Sequence, residues 1–388
     1  MSSPPLTTIL NDILSPSLYT TYESLTSTLN PSELRTLSMN LVTSLTKPPH
    51  SDTLPNIPHD NLATLTACLS QIGNSLTDGS DNALRRKIYQ LYIDSGSFSL
   101  AGEVLSSLRV DPSLPAYTFT PSEVLDLNVT SAECYLEDGD AISAEVFVSK
   151  AASVVADAPE GNTEVLRFRS TQARVLDAQR KFLQASEFYY LLSQSTHPSV
   201  HPPDLLLLLG KACTTAVLGK SCTRRSKILA LLSSDERLPR LSSIPGYESH
   251  PSTVIRMHRL ELLDTADVSA FHASLEDHQK ARLADGRTVL ERAVMEHNVV
   301  ALERVYTSVS LKQVGEVLQV KGGASSAVKV VAGMIKGGAV NGRIDQVKGI
   351  VVFGEGEREG KVREERIGRD CMGCNDIENR IRGEREGK

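Results

Sequence analysis

Apolar residues recur every three or four positions from about residue 61 to residue 245, and this spacing predicts a nearly continuous series of amphipathic helices. The clearest helix starts at Thr120–Glu123, where a capping hydroxyl precedes Pro at the first helical position and Glu at the third. A second helix follows a turn at Gly139. Their predicted apolar faces are Leu125, Val129, Ala132 and Leu136 in the first helix, and Ala141, Ala144, Val148, Ala151 and Val155 in the second.

This αα-hairpin recurs with a period of about 40 residues. The corner Tyr92–Gly96 is matched by Tyr135–Gly139, and further corners are expected at Gln179 and Gly219. Glycine suits the left-handed residue that ends a helix. At the third corner Gln replaces Gly and the small Ala185 comes one position late, so the repeat is degenerate. The period predicts a right-handed α-solenoid of tetratricopeptide or HEAT-like character.

Beyond residue 285 the pattern predicts a winged helix, in which a strand and two helices precede a β-hairpin. The predicted elements are helices Thr288–His297 and Val299–Tyr306, a β-prone piece Thr307–Leu311, helices Lys312–Val320 and Ser325–Lys336, and hairpin strands Ala339–Asp345 and Ile350–Phe353. We therefore expect a mainly α protein with four segments. They are an N-terminal helical and loop segment (1–60), a helical-repeat arm (61–185), a second domain (186–354) with a helical bundle (186–284) and the winged helix (285–354), and a charged C-terminal tail helix (355–388).

The two ends of the chain differ in composition from the middle. Near the start, Asn30–Glu33 is a helix start signal, and the proline-rich stretch Lys47–Pro58 is typical of a loop. The tail interleaves 9 basic and 10 acidic residues. Ile367, Cys374 and Ile381 are spaced seven apart there, which predicts a thin apolar seam that pairs with another chain; a solvated tail is the competing interpretation.

Composition excludes several classes of function. The net charge of −6 provides no general attraction for nucleic acid or anionic lipid, and aromatic residues make up 5% of the chain with no Trp. The longest aliphatic run, Leu205–Leu209, is far shorter than a membrane span. No basic residue precedes Arg35, so no presequence is expected, and six scattered cysteines suit reduced thiols. We expect a protein of the cytoplasm and nucleus.

Known catalytic and metal motifs are not matched. Gly219–Ser221 resembles the end of a phosphate loop, but Thr214 stands where the loop requires Gly. Cys371 and Cys374 have the spacing of half a zinc site without a second pair. The histidines form neither HxH nor HExxH, and His278 is expected at the surface or in a cap. We therefore predict no enzyme activity, no cofactor and no metal.

The second long helix of a winged helix often reads DNA. Here its basic side chains are Lys329 and Lys336, while Val328, Val331, Met334 and Ile335 define a buried face. A DNA-reading helix presents several polar side chains. The pattern favours a protein-binding module over a nucleic-acid-binding one.

Several stretches carry a resemblance to a known family. They are Arg174–Phe182, Ser233–Arg237, His278–Lys280, Ala284–Gly286, Leu290–Asn298, Asn341–Gln346 and Gly349–Val351. Together with repeats that run into a winged helix, they resemble the PCI family of scaffold subunits found in the proteasome lid, the COP9 signalosome and a translation-initiation complex. The resemblance covers about residues 80 to 353 and is most specific for the signalosome members.

The resemblance implies a non-catalytic role in a complex that removes NEDD8 from cullins through a separate metalloprotease subunit. Implied partners are other PCI subunits, the metalloprotease-type subunits and the cullin–RING ligase, which the arm would sense. Family members join through winged helices packed edge to edge and through C-terminal helices in a common bundle. By position, the partner contacts would be Val340, Ile344, Ile350 and Val352 on the two wing strands, and Ile367, Cys374 and Ile381 in the tail.

Three alternatives share the architecture. A scaffold subunit of the proteasome lid or of a translation-initiation complex has the same repeats and winged helix. A nucleic-acid-binding PCI adaptor is less well supported, because it needs a basic surface that a net charge of −6 does not suggest.

Overall fold

The computed structural model of the chain describes residues 23–24, 28–46, 62–72, 76, 79–111, 113–157, 163–284, 286–318 and 323–354. The chain divides into two compact units, residues 1–171 and 172–388, and the division falls within a helix. The predicted loop of residues 47–58 and the tail with Ile367, Cys374 and Ile381 lie outside the described residues. The described part confirms the mainly α fold class with a winged helix.

The described secondary structure of the first unit consists of helices joined by turns and short irregular segments. Its helices are α1 (Pro31–Thr46), α2 (Leu62–Ile72), α3 (Ser80–Asp94), α4 (Phe98–Ser106), α5 (Pro121–Glu137), α6 (Ala141–Val154) and the first half of α7 (Thr163–Ala178). Helices α1 to α3 share a core that includes Leu41, Ile72 and Ile88, each fully buried. The predicted start of α5 is confirmed, because Thr120 and Glu123 form a reciprocal capping box.

Two hairpin corners end their first helix in the same way. Gly96 and Gly139 have φ of 75° and 80°, which is the left-handed conformation that the sequence predicts. At the second corner, the Gly139 N–H donates to the Leu136 carbonyl at 3.0 Å and the Asp140 N–H to the Tyr135 carbonyl at 2.9 Å. The corner at Gly96 repeats both bonds. This pair of hydrogen bonds is a Schellman motif, which satisfies the last carbonyls of the helix.

The third corner corrects the predicted alignment. The left-handed residue is Arg180, with φ of 61°, rather than Gln179. The Arg180 N–H donates to the Asp177 carbonyl at 2.8 Å and the Lys181 N–H to Leu176 at 2.8 Å, which is the same Schellman pattern. Ala185 therefore comes five residues after the corner, as in the first two hairpins, and it is fully buried. The backbone repeat is regular here although the glycine is missing.

The fourth corner is built differently. Gly219 has φ of −63° and extended ψ of 148°, so the expected left-handed conformation is wrong there. A Cβ at Gly219 would lie 2.3 Å from Cδ2 of Leu183. The glycine at this corner leaves room for the Leu183 side chain of the neighbouring helix, and its own φ does not call for glycine.

The second unit continues with helices and ends in the winged helix. After α7 its helical bundle contains α8 (Phe182–Ser193), α9 (Pro202–Leu218), α10 (Thr223–Ser234), α11 (His250–Arg259) and α12 (Thr265–Ala273). The winged helix contains α13 (Val289–Val305), β1 (Ser308–Ser310), α14 (Leu311–Leu318), α15 (Gly323–Lys336), β2 (Gly342–Asp345) and β3 (Ile350–Phe353).

Helix α13 is one helix where two were expected. The predicted break near Asn298 does not occur, because the side chain of Asn298 bonds outside its own helix. Its Nδ2 donates to the Leu263 carbonyl at 2.9 Å, and its Oδ1 accepts the Leu263 N–H at 3.0 Å. A buried Asn that binds a neighbouring segment in this way leaves the helical ladder intact.

Candidate partner-binding site

The three-stranded sheet of the winged helix has β3 in its centre, in the order β1-β3-β2. Antiparallel pairing sets Arg343 of β2 opposite Val352 and Ile344 opposite Val351. On its other side β3 pairs with β1, with Ser308 opposite Val352. Among the described strands, β2 and β1 therefore each keep one side open, and β3 keeps none.

This topology changes which wing strand can offer an open edge, while the predicted partner contacts stay predictions. Ile350 and Val352 lie on the central strand, so their backbone groups are not at a sheet edge. Val340 precedes β2 and belongs to the core of the winged helix at 3% exposure. Ile344 is the one residue of the four that lies on an edge strand, with its half-buried side chain against the same core. Of the two wing strands, β2 has an open edge and β3 does not.

Local chemistry explains why β2 can pair so closely with β3. A Cβ at Gly342 would lie 2.5 Å from the Val352 carbonyl oxygen, so only glycine fits at the start of the strand. At the other end, the Asp345 carboxylate accepts the N–H groups of Val347 and Lys348 at 3.1 and 3.0 Å and shapes the wing turn.

The outer surface of the wing suits a protein partner. Arg343 is exposed on β2, and Val347 at the wing tip is 98% exposed. The unpaired N–H and C=O groups of an edge strand can bind a further strand. An open edge beside an exposed apolar side chain is therefore a candidate interaction surface, which we call the β2 edge, comprising Gly342–Asp345 and Val347.

Helix α15 is poorly suited to reading DNA. Val331 and Met334 are buried, and Val328 and Ile335 pack against the same core. Of its described residues, Lys329 and Lys336 are the exposed basic ones, as predicted. Base readout needs several hydrogen-bonding side chains on the exposed face, and this helix offers mainly small residues there.

The first unit contains a polar groove of about 570 Å³. Arg167 closes one side, with its Nε donating to Glu133 at 3.0 Å and its other nitrogens bonded to Asp126 and Thr130. The Arg86 guanidinium lies over the Phe119 ring, 5.7 Å from its centre. The groove thus presents fixed charges of both signs beside apolar side chains, which makes it a candidate surface for a protein partner.

The structure bears on one candidate motif and on two of the cysteines. At Gly219–Ser221 the Ser221 N–H donates to the Glu296 carboxylate at 3.1 Å, so a fixed negative charge stands where a phosphate would bind. Burial raises the pKa of Cys68 to about 12 and that of Cys134 to about 11, so these thiols stay protonated. Cys371 and Cys374 lie outside the described residues.

One cluster was missed by sequence reasoning. In the described part of the chain, Asp177, Glu276 and His278 bring ligand-type atoms within 4.8 Å of one another. His278 was expected at the surface or in a cap, and its half-buried side chain is paired with Asp177. About 100 residues separate the two in sequence, and no local spacing could reveal the contact.

Comparison with known proteins agrees with this architecture. A family model described as the PCI domain matches residues 275–355, and one described as PSMD12/CSN4, N-terminal, matches residues 69–201. The chain therefore carries a PCI domain behind a helical region of a recognised type. No helix in the described residues is long and apolar enough to cross a membrane.

Individual relatives show to which family of PCI-domain proteins the chain belongs. The chain is 30% identical to COP9 signalosome complex subunit 4 of Arabidopsis thaliana over 80% of its own length and 77% of that protein. It is 31% identical to the Emericella nidulans protein of that name, covering 74% and 68%, and 35% identical to the Drosophila melanogaster one, covering 57% and 52%. The chain belongs to the COP9 signalosome subunit 4 family.

Proposed function

We propose that this chain is a non-catalytic scaffold subunit of a COP9 signalosome, which supports the removal of NEDD8 from cullins by a metalloprotease on another chain. The supporting observation is the similarity to subunit 4 across four fifths of the chain, which includes both the helical repeats and the PCI domain. A proteasome-lid or translation-initiation scaffold has the same architecture, but the Arabidopsis thaliana and Emericella nidulans relatives that support the proposal are signalosome subunits.

In this proposal the β2 edge binds the winged helix of a neighbouring PCI subunit. The edge strand would add main-chain hydrogen bonds to a partner strand, and the exposed Val347 would bury its side chain in the contact. Ile344 would hold the strand in place from the core side. Ile350 and Val352 would support β2 from the central strand, and Val340 would anchor it to the core.

We further propose that the tail enters a helical bundle with other subunits through Ile367, Cys374 and Ile381. Their seven-residue spacing supports it, since such a seam buries its apolar side chains only against another helix. Deleting residues 355–388 should then reduce recovery of partner subunits. Full recovery of partners with the truncated chain would contradict this role.

For the cullin–RING ligase we propose a contact through the polar groove of the first unit. Its fixed charges, carried by Arg86 and Arg167, suit recognition of a polar protein surface. Cross-linking of the assembled complex to a neddylated cullin–RING ligase should give cross-links within residues 80–171. Cross-links confined to residues 172–354 would contradict the assignment.

The decisive experiment is affinity purification of the full chain followed by mass spectrometry. Recovery of signalosome PCI subunits and a metalloprotease-type subunit would support the function, whereas recovery of proteasome-lid or initiation-factor subunits would support the alternative. A salt-dependent shift assay with RNA or DNA tests the adaptor hypothesis. Imaging of a tagged chain should show it in both cytoplasm and nucleus.

A pair of matched variants tests the β2 edge within that experiment. Val347→Asp places a charge on a side chain that is almost fully exposed, so the isolated chain should fold normally. Val110→Asp makes the same change at a half-exposed position of the first unit. The first variant should lose PCI partners and the second should keep them. Equal recovery with both variants would contradict the role of the wing.

A further inference from the structure

The cluster at Asp177, Glu276 and His278 lies apart from the proposed partner-binding surfaces. Asp177 is at the C-terminal end of α7, with its side chain 4% exposed. Glu276 and His278 belong to the segment of residues 274–280 that follows α12 and leads toward the winged helix. All three lie within the second unit.

The imidazole of His278 stands between the two carboxylates. Its Nε2 lies 3.3 Å from Oδ1 of Asp177, and its Nδ1 lies 3.6 Å from Oε2 of Glu276. A metal ion would bind one ring nitrogen, whereas an imidazolium carries a proton on both. A carboxylate near each nitrogen therefore matches the protonated ring, although a metal-bound histidine also keeps a carboxylate on its second nitrogen, and addition of Zn²⁺ separates the two cases.

Gln279 also holds residues 274–280 to Asp177, and this contact does not depend on the charge of the His278 ring. The side-chain amide of Gln279 donates to both oxygens of Asp177, at 3.1 and 3.0 Å, and Gln279 is 3% exposed. Gln279 also accepts the Glu276 N–H at 3.2 Å, which folds the segment into a turn. The buried Asp177 carboxylate thus has a neutral partner in Gln279 and a partner whose charge depends on pH in His278.

We propose that protonated His278 is a pH-dependent latch that fastens residues 274–280 to the end of α7, and that loss of its proton loosens this segment while Gln279 keeps it in place. The latch would set how firmly the approach to the winged helix is held to the repeats that precede it within the second unit.

The charges around the ring support this direction. Burial lowers the pKa of His278, but Asp177 and Glu276 raise it by more, so the pKa lies above its ordinary value of 6.5. Lys211 of α9 opposes this, although its Nζ is paired with Glu276 at 3.1 Å. The stabilisation is therefore complete below pH 6.5 and is lost as the pH rises through the pKa of the folded state. Other groups in the surroundings are Arg174, Tyr189 and Tyr247.

The test is hydrogen–deuterium exchange of the full chain between pH 6 and 8.5, with rates corrected for intrinsic exchange. In the unmodified chain, protection of residues 274–280 should fall as the pH rises, by up to about tenfold for each pH unit between 6.5 and the pKa of the folded state. His278→Gln should abolish this pH dependence. The exposed His258→Gln serves as control and should retain it.

A milder variant covers the case in which His278→Gln fails to fold. Glu276 is exposed, so Glu276→Gln should fold and should reduce the pH dependence without abolishing it. Constant protection of the unmodified chain across the range would overturn the proposal. So would Zn²⁺-induced protection that EDTA reverses, because the cluster would then be a metal site.

Discussion

Gly139 offers a direct test of the hairpin geometry. Its φ of 80° lies in the left-handed region, and an added Cβ would meet no atom within 4 Å. The Cβ of Gly139→Val therefore adds no collision with a neighbour, and the expected effect comes from the backbone conformation. A residue with a Cβ pays about 1–2 kcal/mol in this region, and β-branched side chains tolerate it least. We expect a loss of about 1–2 kcal/mol in the free energy of unfolding.

The measurement is urea unfolding followed by circular dichroism, with thermal unfolding alongside. For a unit of about 170 residues the expected fall in Tm is about 2–8 °C. Gly333→Ala is the matched control, because Gly333 lies within helix α15 and its Cβ would also meet open space. That change should stabilise the chain by about 0.5–1 kcal/mol.

The third corner supplies the reverse experiment. Arg180 is exposed and left-handed, so Arg180→Gly removes backbone strain without removing a buried side chain. We expect a gain of roughly 0.5–1 kcal/mol, after the higher chain entropy of glycine in the unfolded state is subtracted. If Gly139→Val and Arg180→Gly both leave the unfolding curve unchanged, the argument from left-handed strain is refuted.

Three further predictions concern buried polar groups and strand pairing. Burial lowers the pKa of His250 and of His297 to about 4, so the unfolded chain binds more protons than the folded chain below pH 6.5. Each histidine should therefore cost roughly 2 kcal/mol of stability at pH 5, which urea unfolding at pH 7 and pH 5 measures. Asn298→Ala removes both hydrogen bonds to Leu263 and should destabilise the second unit by about 1–3 kcal/mol in the same assay. Gly342→Ala puts a Cβ 2.5 Å from a carbonyl oxygen of β3, and it should lower amide protection in β2 as seen by hydrogen exchange.

Each of these has an outcome that would contradict it. Replacing both histidines with Gln should flatten the acid side of the stability profile, and an unaltered slope would show that the two rings are not buried in the neutral form. Asn298→Asp sets a second carboxylate oxygen against the Leu263 carbonyl at a buried position, so it should destabilise the unit at least as much as Asn298→Ala, and a smaller loss than that of Asn298→Ala would contradict the assignment. Unchanged protection in β2 after Gly342→Ala would mean that the strands can separate without cost.

Sequence patterns determined the features that depend on neighbours along the chain. Capping boxes, apolar faces with three- and four-residue spacing, and turns at glycine involve residues within one or two helical turns of each other. The start of α5 at Pro121, the turn at Gly139 and the order of strand, helices and wing could therefore be predicted. The family resemblance drew on the same stretches, and the relatives confirmed it.

Only the tertiary structure decided the rest, because those features depend on atoms far apart in sequence. Pairing with β1 makes β3 a central strand and leaves β2 as the open edge, although both look alike as hairpin strands. Arg180 takes a left-handed conformation because the helices on either side must pack, and packing outweighs the modest cost of strain. Asp177 and His278 are about 100 residues apart in the sequence and come into contact only in the folded chain, so no local spacing predicts their contact.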